Sequence, residues 1–342
     1  MNNKKIVAFD IIRAISVIMI ISFHFMSTVV NHGGNWDDFK IFSPMGSIGV
    51  SFFIMISGAG LYVSSQRWNG VIQFYKKRIL SIYPPYIFSY FFIACLMFML
   101  AGEIYFGNNV FLWVLTITGF DGYMLWHAPN YYMIGEWFLG FIVIIYAIYP
   151  IIRIAINKNI YYSLLISVFI ACITYANNKE ISSYLPIFNA TPEWNPLIRI
   201  PEFIFGAMVA KHIIEGSNLF KKIIPICLIY SFIAVYKFDN LNSGVLSIPS
   251  LCAIFYVLTF TMLHIKFNDG ILSIINFFSV NSFVAFLIHH KIIYLSVLFV
   301  KPIPASYTAT YLYLYTIILI VFSISYFLSK PINSITKIFI NK

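Results

Sequence analysis

Residues 8–29 read AFDIIRAISVIMIISFHFMSTV. Nearly every position is apolar, and at about 1.5 Å of rise per residue the run is long enough to cross a hydrocarbon layer of about 30 Å. It nonetheless carries Asp10, Arg13 and His24. An ionisable side chain inside a membrane helix costs on the order of 3 kcal/mol, so each of the three needs protein or a watered cavity beside it. At 100° per residue Arg13 and His24 point within about 20° of one another and stand about 16 Å apart along the axis, so one face of the helix carries a polar stripe. A plainer reading pairs Asp10 with Arg13 at the membrane rim and leaves His24 to a neighbouring carbonyl.

Working outward, the pattern repeats over the whole chain. Of 342 residues, 60% are hydrophobic, 19% aromatic and only 10% charged, too few polar groups to cover a water-exposed surface. Ten apolar segments qualify as spans: roughly 8 to 29, 46 to 64, 83 to 101, 134 to 152, 160 to 176, 198 to 214, 222 to 237, 245 to 264, 280 to 299 and 309 to 328. The stretch 108–133, rich in Trp, Tyr and Gly, is too broken to span and belongs at the interface or in a re-entrant turn. The expectation is an all-α integral membrane protein, a single domain over 1–342 and a bundle of about ten helices.

The distribution of Lys and Arg sets the orientation. With both termini inside, only Lys40, Lys179, Arg199, Lys237 and Lys301 fall on outer segments. The net charge of +10 therefore reads as topology control rather than as a nucleic-acid surface. Lys4 and Lys5 precede a run that carries charges and lacks a small-residue cleavage site, which predicts a retained first helix. Cys95, Cys172, Cys227 and Cys252 lie in apolar runs without CxxC spacing and read as small core hydrophobes.

Further polar positions need a reason. FYKKRILSIYPPY, residues 74–86, is a basic loop in which Pro84 and Pro85 set the start of the third helix. Its Lys76, Lys77 and Arg78 read either as an orientation signal in contact with anionic lipid or as a phosphate grip. Ser57 and Gly58 interrupt the second helix, for close approach of a neighbour or an accessible hydroxyl. Glu136 and Trp137 open the fourth, and His289, His290 and Lys291 fall together inside the ninth. No His stands three or four residues from a second ligand on one helix face, so no metal is expected.

These motifs, in their order, resemble the membrane-bound acyltransferase-3 family over nearly the whole chain. FDIIRAISVIMIISFH is similar to its opening Asp-x-x-Arg with a His eleven residues on, and GVSFFIMISG to its second helix. FYKKRILSIYPPY resembles its basic loop, and WFLGFIVIIYAIYP its fourth-helix signature. RIPEFIFGAMVAK and SFVAFLIHH resemble its later Arg and Glu-Phe-x-x-Gly element and its near-terminal Ser and His. Three positions depart: Ser81 where the basic loop often has a second Arg, Ile142 where a Glu often follows the Trp, and Ser51 in place of an Asp.

The resemblance implies an O-acyltransferase that takes an acyl group, usually acetyl, from acyl-CoA to a hydroxyl of a surface polysaccharide or lipid-linked sugar. It makes His24 the catalytic histidine, Arg13 its essential neighbour and Arg78 a contact of the acyl-CoA. We expect Asp10 to complete the catalytic group, Lys76, Lys77 and Ser57 the donor site, and Glu136, Trp137 and His289 the acceptor site. The expected partners are acetyl-CoA, the glycan or lipid-linked sugar, the bilayer and the proteins of polysaccharide synthesis and export. No additional extracytoplasmic hydrolase domain is expected. The rival reading is an exporter of a glycan or lipid-linked saccharide, which would call for paired repeats or broken helices around a midplane site.

Overall fold

The computed structural model describes residues 6–34, 37–102, 109–128, 131, 133–189, 191–216, 247–300 and 306–340, with the backbone alone for 37–39 and 337–340. Among the described residues every regular element is helical. The helices are α1 (Val7–Asn31), α2 (Met45–Ser65), α3 (Val71–Ala101), α4 (Trp113–Thr118), α5 (Asp121–Met124), α6 (Glu136–Ala176), α7 (Asn178–Tyr184), α8 (Pro196–Glu215), α9 (Ile248–His264), α10 (Asp269–Phe299) and α11 (Tyr307–Ile340). Six of these are long and apolar enough to cross a membrane: α1, α2, α3, α6, α10 and α11. The protein is an all-α, multi-pass membrane protein.

The expected segments map onto this set with differences that have physical reasons. The fourth and fifth fall within α6, which breaks at Asn159 (φ −164°, ψ 110°). There the Asn159 Oδ1 accepts from the amides of Tyr161 and Tyr162, as a helix N-cap does. The sixth is α8, whose Arg199, Glu202, Lys211 and Glu215 exceed the charge of a simple span. The eighth is α9, only 17 residues long. The seventh, 222–237, lies outside the described residues, as does Cys227.

Two expectations are corrected. The basic stretch 74–86 is not a loop: α3 starts at Val71, and Pro84 and Pro85 sit inside it. Each proline removes a backbone donor, yet a helix can absorb this where water or side chains reach the freed carbonyls. Cys95 and Cys172 are exposed on helix flanks instead of buried in the core; of the described cysteines only Cys252 is buried.

The centre of the bundle is formed by α1, which packs on α2, α9 and α10, and by α8, held between α2 and α6. Apolar burial gives helices no preference for one another over lipid, so close backbone approach must hold them. The α2–α8 crossing shows this directly. A Cβ on Gly58 would fall 1.9 Å from the carbonyl oxygen of Phe203, and one on Gly206 would fall 1.8 Å from that of Met55. Alanine at either position would force the two helices apart. Gly58 thus serves close contact, one of the two roles its motif suggested.

The described residues of the stretch 108–133 form no spanning helix. Its short helices α4 and α5 are sewn to one face of α3 by tyrosines at helical spacing. The hydroxyl of Tyr83 donates to the carbonyl of Thr118 (3.1 Å), that of Tyr86 to Thr116 (2.7 Å) and that of Tyr90 to Tyr131 (3.2 Å). This lid presses on α6: a Cβ on Gly122 would lie 2.4 Å from the carbonyl carbon of Glu136.

Candidate active site

Two cavities open along α1, one near each end of its polar stripe. The first, of about 320 Å³, is lined by Arg13, Phe53, Ser57, Ser64, Arg78, Ser81, Ile142, Tyr146 and Ser282 among others. We call it the basic end. A small side pocket adjoins it through Ser64 and Arg78 and adds Arg67, Trp68 and Lys77. The second cavity, of about 680 Å³, is lined by Phe23, His24, Gly122, Glu136, Trp137, Glu193, Trp194, Arg199 and His290 among others. We call it the imidazole end.

At the basic end the charges of α1 are fixed by α10. Ser279 donates to Asp10 Oδ1 at 2.6 Å, and Arg13 Nη1 contacts the same oxygen at 3.1 Å and Ser279 Oγ at 3.2 Å. Asp10 is buried and does not line the cavity, so it positions Arg13. Arg78 differs. Its guanidinium lies over the rings of Phe74 and Tyr146, at 5.9 and 5.7 Å, and its buried Nε has no hydrogen-bond partner among the described residues. A planar fork held by aromatic rings with donors to spare suits an incoming phosphate. Ser57 donates to the carbonyl of Phe53 and also faces the cavity.

At the imidazole end three histidines converge on one carboxylate. The Nε2 of His24 lies 3.3 Å from Glu136 Oε2, while those of His289 and His290 lie 3.1 and 3.2 Å from Oε1. The His24 and His290 rings are 4.2 Å apart. Glu136 opens α6 from a left-handed conformation (φ 43°), directly after Gly135 (φ 93°). A non-glycine residue held there stores on the order of 1 kcal/mol or more of strain, which the surrounding contacts must maintain. Here Gly122 and the histidines supply those contacts.

The hydrogen-bond pattern fixes one tautomer. His289 Nδ1 is 2.6 Å from the carbonyl of Phe286, which can only accept, so Nδ1 carries the proton. Its Nε2 then faces Glu136 favourably only when a further proton lies between them. His289 is fully buried, whereas the side chains of His24 and His290 are 18% and 38% exposed and face the cavity. The buried His289–Glu136 contact thus sits behind two accessible imidazoles.

Between the cavities, Phe53 (α2), Phe138 (α6) and Phe286 (α10) pack ring against ring, with centroids 5.4 to 6.2 Å apart. Phe53 and Phe138 line the basic end. One turn earlier on α2, Val50 lines the other cavity, as does Trp137, the neighbour of Phe138.

A family model described as an acyltransferase domain, that of the acyltransferase-3 family, matches residues 6–330. The chain belongs to that family. It is a membrane acyltransferase. Comparison with curated proteins and with solved structures gives no match.

Within this acyltransferase, the expected residues separate cleanly. His24, Glu136, His289 and Trp137 come together at the imidazole end, and Arg13, Ser57 and Arg78 at the basic end. Lys77 reaches the side pocket, whereas Lys76 is exposed and lines none of these cavities. Sequence reasoning gave no site role to His290, Glu193, Trp194 and Tyr146; His290 was noted only as part of the ionisable run His289–Lys291 in the ninth segment.

The departures from the family pattern also find their places. Ser51 accepts from Arg199 Nη2 at 3.0 Å, while Glu202 supplies the countercharge to Arg199 Nε at 2.7 Å. Ile142 lines the basic cavity, and the site's carboxylate is Glu136. The expectation of no metal rested on ligands sharing one helix. Three helices instead bring one ligating atom each from His24, Glu136, His289 and His290 within 4.8 Å of one another. That set could hold a metal ion, and the Glu136 carboxylate alone already provides a countercharge for imidazolium.

Proposed function

We propose that the protein moves an acyl group, acetyl foremost, from acyl-CoA to a hydroxyl of a cell-surface polysaccharide or lipid-linked sugar. The observation that carries this reading is the His24–Glu136 contact of 3.3 Å in a cavity at the opposite end of the same helix face from an arginine-lined cavity. A thioester donor and a hydroxyl acceptor need such a division: a cationic grip for phosphates and a base at the point of attack.

In this reading the basic end faces the cytosol. Arg78, with Lys77 beside it and Arg13 deeper, meets the phosphates, and Ser57 lines the path of the donor's arm. The thioester passes the three phenylalanines to reach the imidazole end. His24, with Nε2 turned to Glu136, keeps Nδ1 for the acceptor's proton. The hydroxyl oxygen then bonds to the acyl carbon, the carbon–sulfur bond breaks and the thiolate leaves to be protonated. Glu136 stabilises the imidazolium as it forms, and His289 holds Glu136 in place.

The test is a radiolabelled acetyl-CoA assay with the full chain in lipid nanodiscs. His24→Ala should lower transfer by roughly 10²- to 10⁴-fold while binding acetyl-CoA as the parent does. Transfer at the parental rate would sink the assignment.

A further inference from the structure

We infer that the imidazole-end cavity holds the acceptor as a neutral or amino hexopyranoside laid on an indole platform made by Trp137 and Trp194, and that it excludes uronates. The inference rests on the transferase reading above and names the class of its acceptor.

The platform is the parallel pair itself. The indole planes of Trp137 and Trp194 are parallel to within 7° and stacked, with centroids 5.5 Å apart, and both line the cavity. Stacking covers one face of each ring and fixes the pair, so its remaining indole face and edges give an apolar strip on the wall of a polar cavity where water gains little. A pyranose is the ligand that fits such a strip, because its ring presents C–H bonds on its faces and hydroxyls around its edge. The strip is also rigidly placed. Trp194 sits in a 3-10 turn, Pro192–Trp194, that its own amide closes by donating to the carbonyl of Thr191 at 2.9 Å. The adjoining Asn195 caps α8 and donates to Asn178 Oδ1 at 2.7 Å. Trp137 follows Glu136 directly, so a sugar on the strip lies beside the carboxylate and its histidines.

The charge of the wall decides which sugar. The carboxylates facing this cavity are Glu136 and Glu193. The lining cation Arg199 is already engaged by Glu202 Oε2 at 2.7 Å, by Ser51 Oγ at 3.0 Å and by the carbonyl of Glu193 at 3.3 Å. His24 and His290 are turned to Glu136. A uronate would therefore meet Glu193 with no uncommitted arginine or lysine among the described lining residues, whereas a neutral hydroxyl or an ammonium group would find an acceptor there.

The experiment uses the full chain in nanodiscs without acyl donor, and reads saturation-transfer NMR signals from three probes: N-acetylglucosamine tetramer, its de-N-acetylated counterpart and galacturonate tetramer. The first two should show ring-proton contacts and the third none. Trp194→Ala should weaken the first two at least about tenfold, and Trp194→Phe should restore most of that loss. Glu193→Gln should admit the galacturonate. Unchanged binding by Trp194→Ala, equal binding of galacturonate by the parent, or failure of the parent to bind any probe would each overturn the inference. Acetyl-CoA is then added to the same samples and its consumption followed. A parent that binds the sugars but leaves the thioester intact defeats the transferase reading and spares the platform. Normal consumption with binding indifferent to Trp194 defeats the platform alone. Parental binding of acetyl-CoA by Trp194→Ala, measured by titration, shows that the variant has folded.

Discussion

The two cavities along α1 are built by opposite strategies. At the basic end the groups are near neighbours in the chain: Asp10 and Arg13 are one turn apart, and Lys77 and Arg78 are adjacent on α3. At the imidazole end His24, Glu136 and the His289–His290 pair come from α1, α6 and α10, and meet only because the bundle closes. The basic end can tolerate local variation, since a phosphate grip needs positive charge more than exact placement. The imidazole end depends on a contact network in which each member fixes another.

The sharpest way to break this contrast is Glu136→Gln. The amide keeps the size of the carboxylate and cannot stabilise three imidazoles as an anion does, so transfer should fall by roughly 10²- to 10³-fold. Donor binding, measured by titration with acetyl-CoA, should stay as it was. A rate within a few-fold of the parent would show that the convergence of histidines on Glu136 is structural and not part of the reaction.

A smaller effect is expected at the other end. Arg78→Ala removes a charge-assisted grip worth about 1.5 to 3 kcal/mol, which corresponds to a rise of about 10- to 100-fold in the KM for acetyl-CoA. kcat should change little, and Arg78→Lys should recover part of the loss, with the remainder growing as ionic strength is raised. If kcat collapses and KM holds, Arg78 works on the reacting atoms, and the two ends do not divide binding from chemistry.

The same contrast explains what the sequence made legible. Polar residues inside an apolar run announce themselves wherever they occur, so the stripe of Asp10, Arg13 and His24 and the ionisable run His289–Lys291 stood out, although His289, expected at the acceptor, is fully buried behind the cavity. Partnership between distant helices has no local signature. Glu136 drew attention as an opening residue of the fourth segment, but its contacts with His24 and His290 follow from packing. Trp194 and Glu193 lay in a short turn with no periodicity to mark them. Helix ends were misjudged where Pro84 and Pro85 suggested a boundary, because a membrane-edge helix can absorb prolines that would end one elsewhere.

The smallest effect tests whether titration near the imidazole end matters by itself. Asp121 is buried in α5 beside Gly122, which packs on Glu136, and Thr116 donates to its Oδ1 at 3.0 Å. Burial pushes its carboxyl up from 3.8 to about 6, against the opposing hydrogen bond from Thr116. A folded pKa above the unfolded one means that the neutral form favours the fold. The stabilisation is full below pH 3.8, declines between 3.8 and about 6, and is gone above that. Asp121→Asn keeps a neutral group of the same shape at all pH. Relative to this variant, the thermal midpoint of the parent should fall as pH rises through that window, by an amount equivalent to at most about 3 kcal/mol. The pH profile of transfer should be the same for both, since Asp121 supports the lid and stands apart from the histidines. A shifted activity profile in Asp121→Asn would tie the lid's charge to His24 and extend the catalytic network into the segment that covers it.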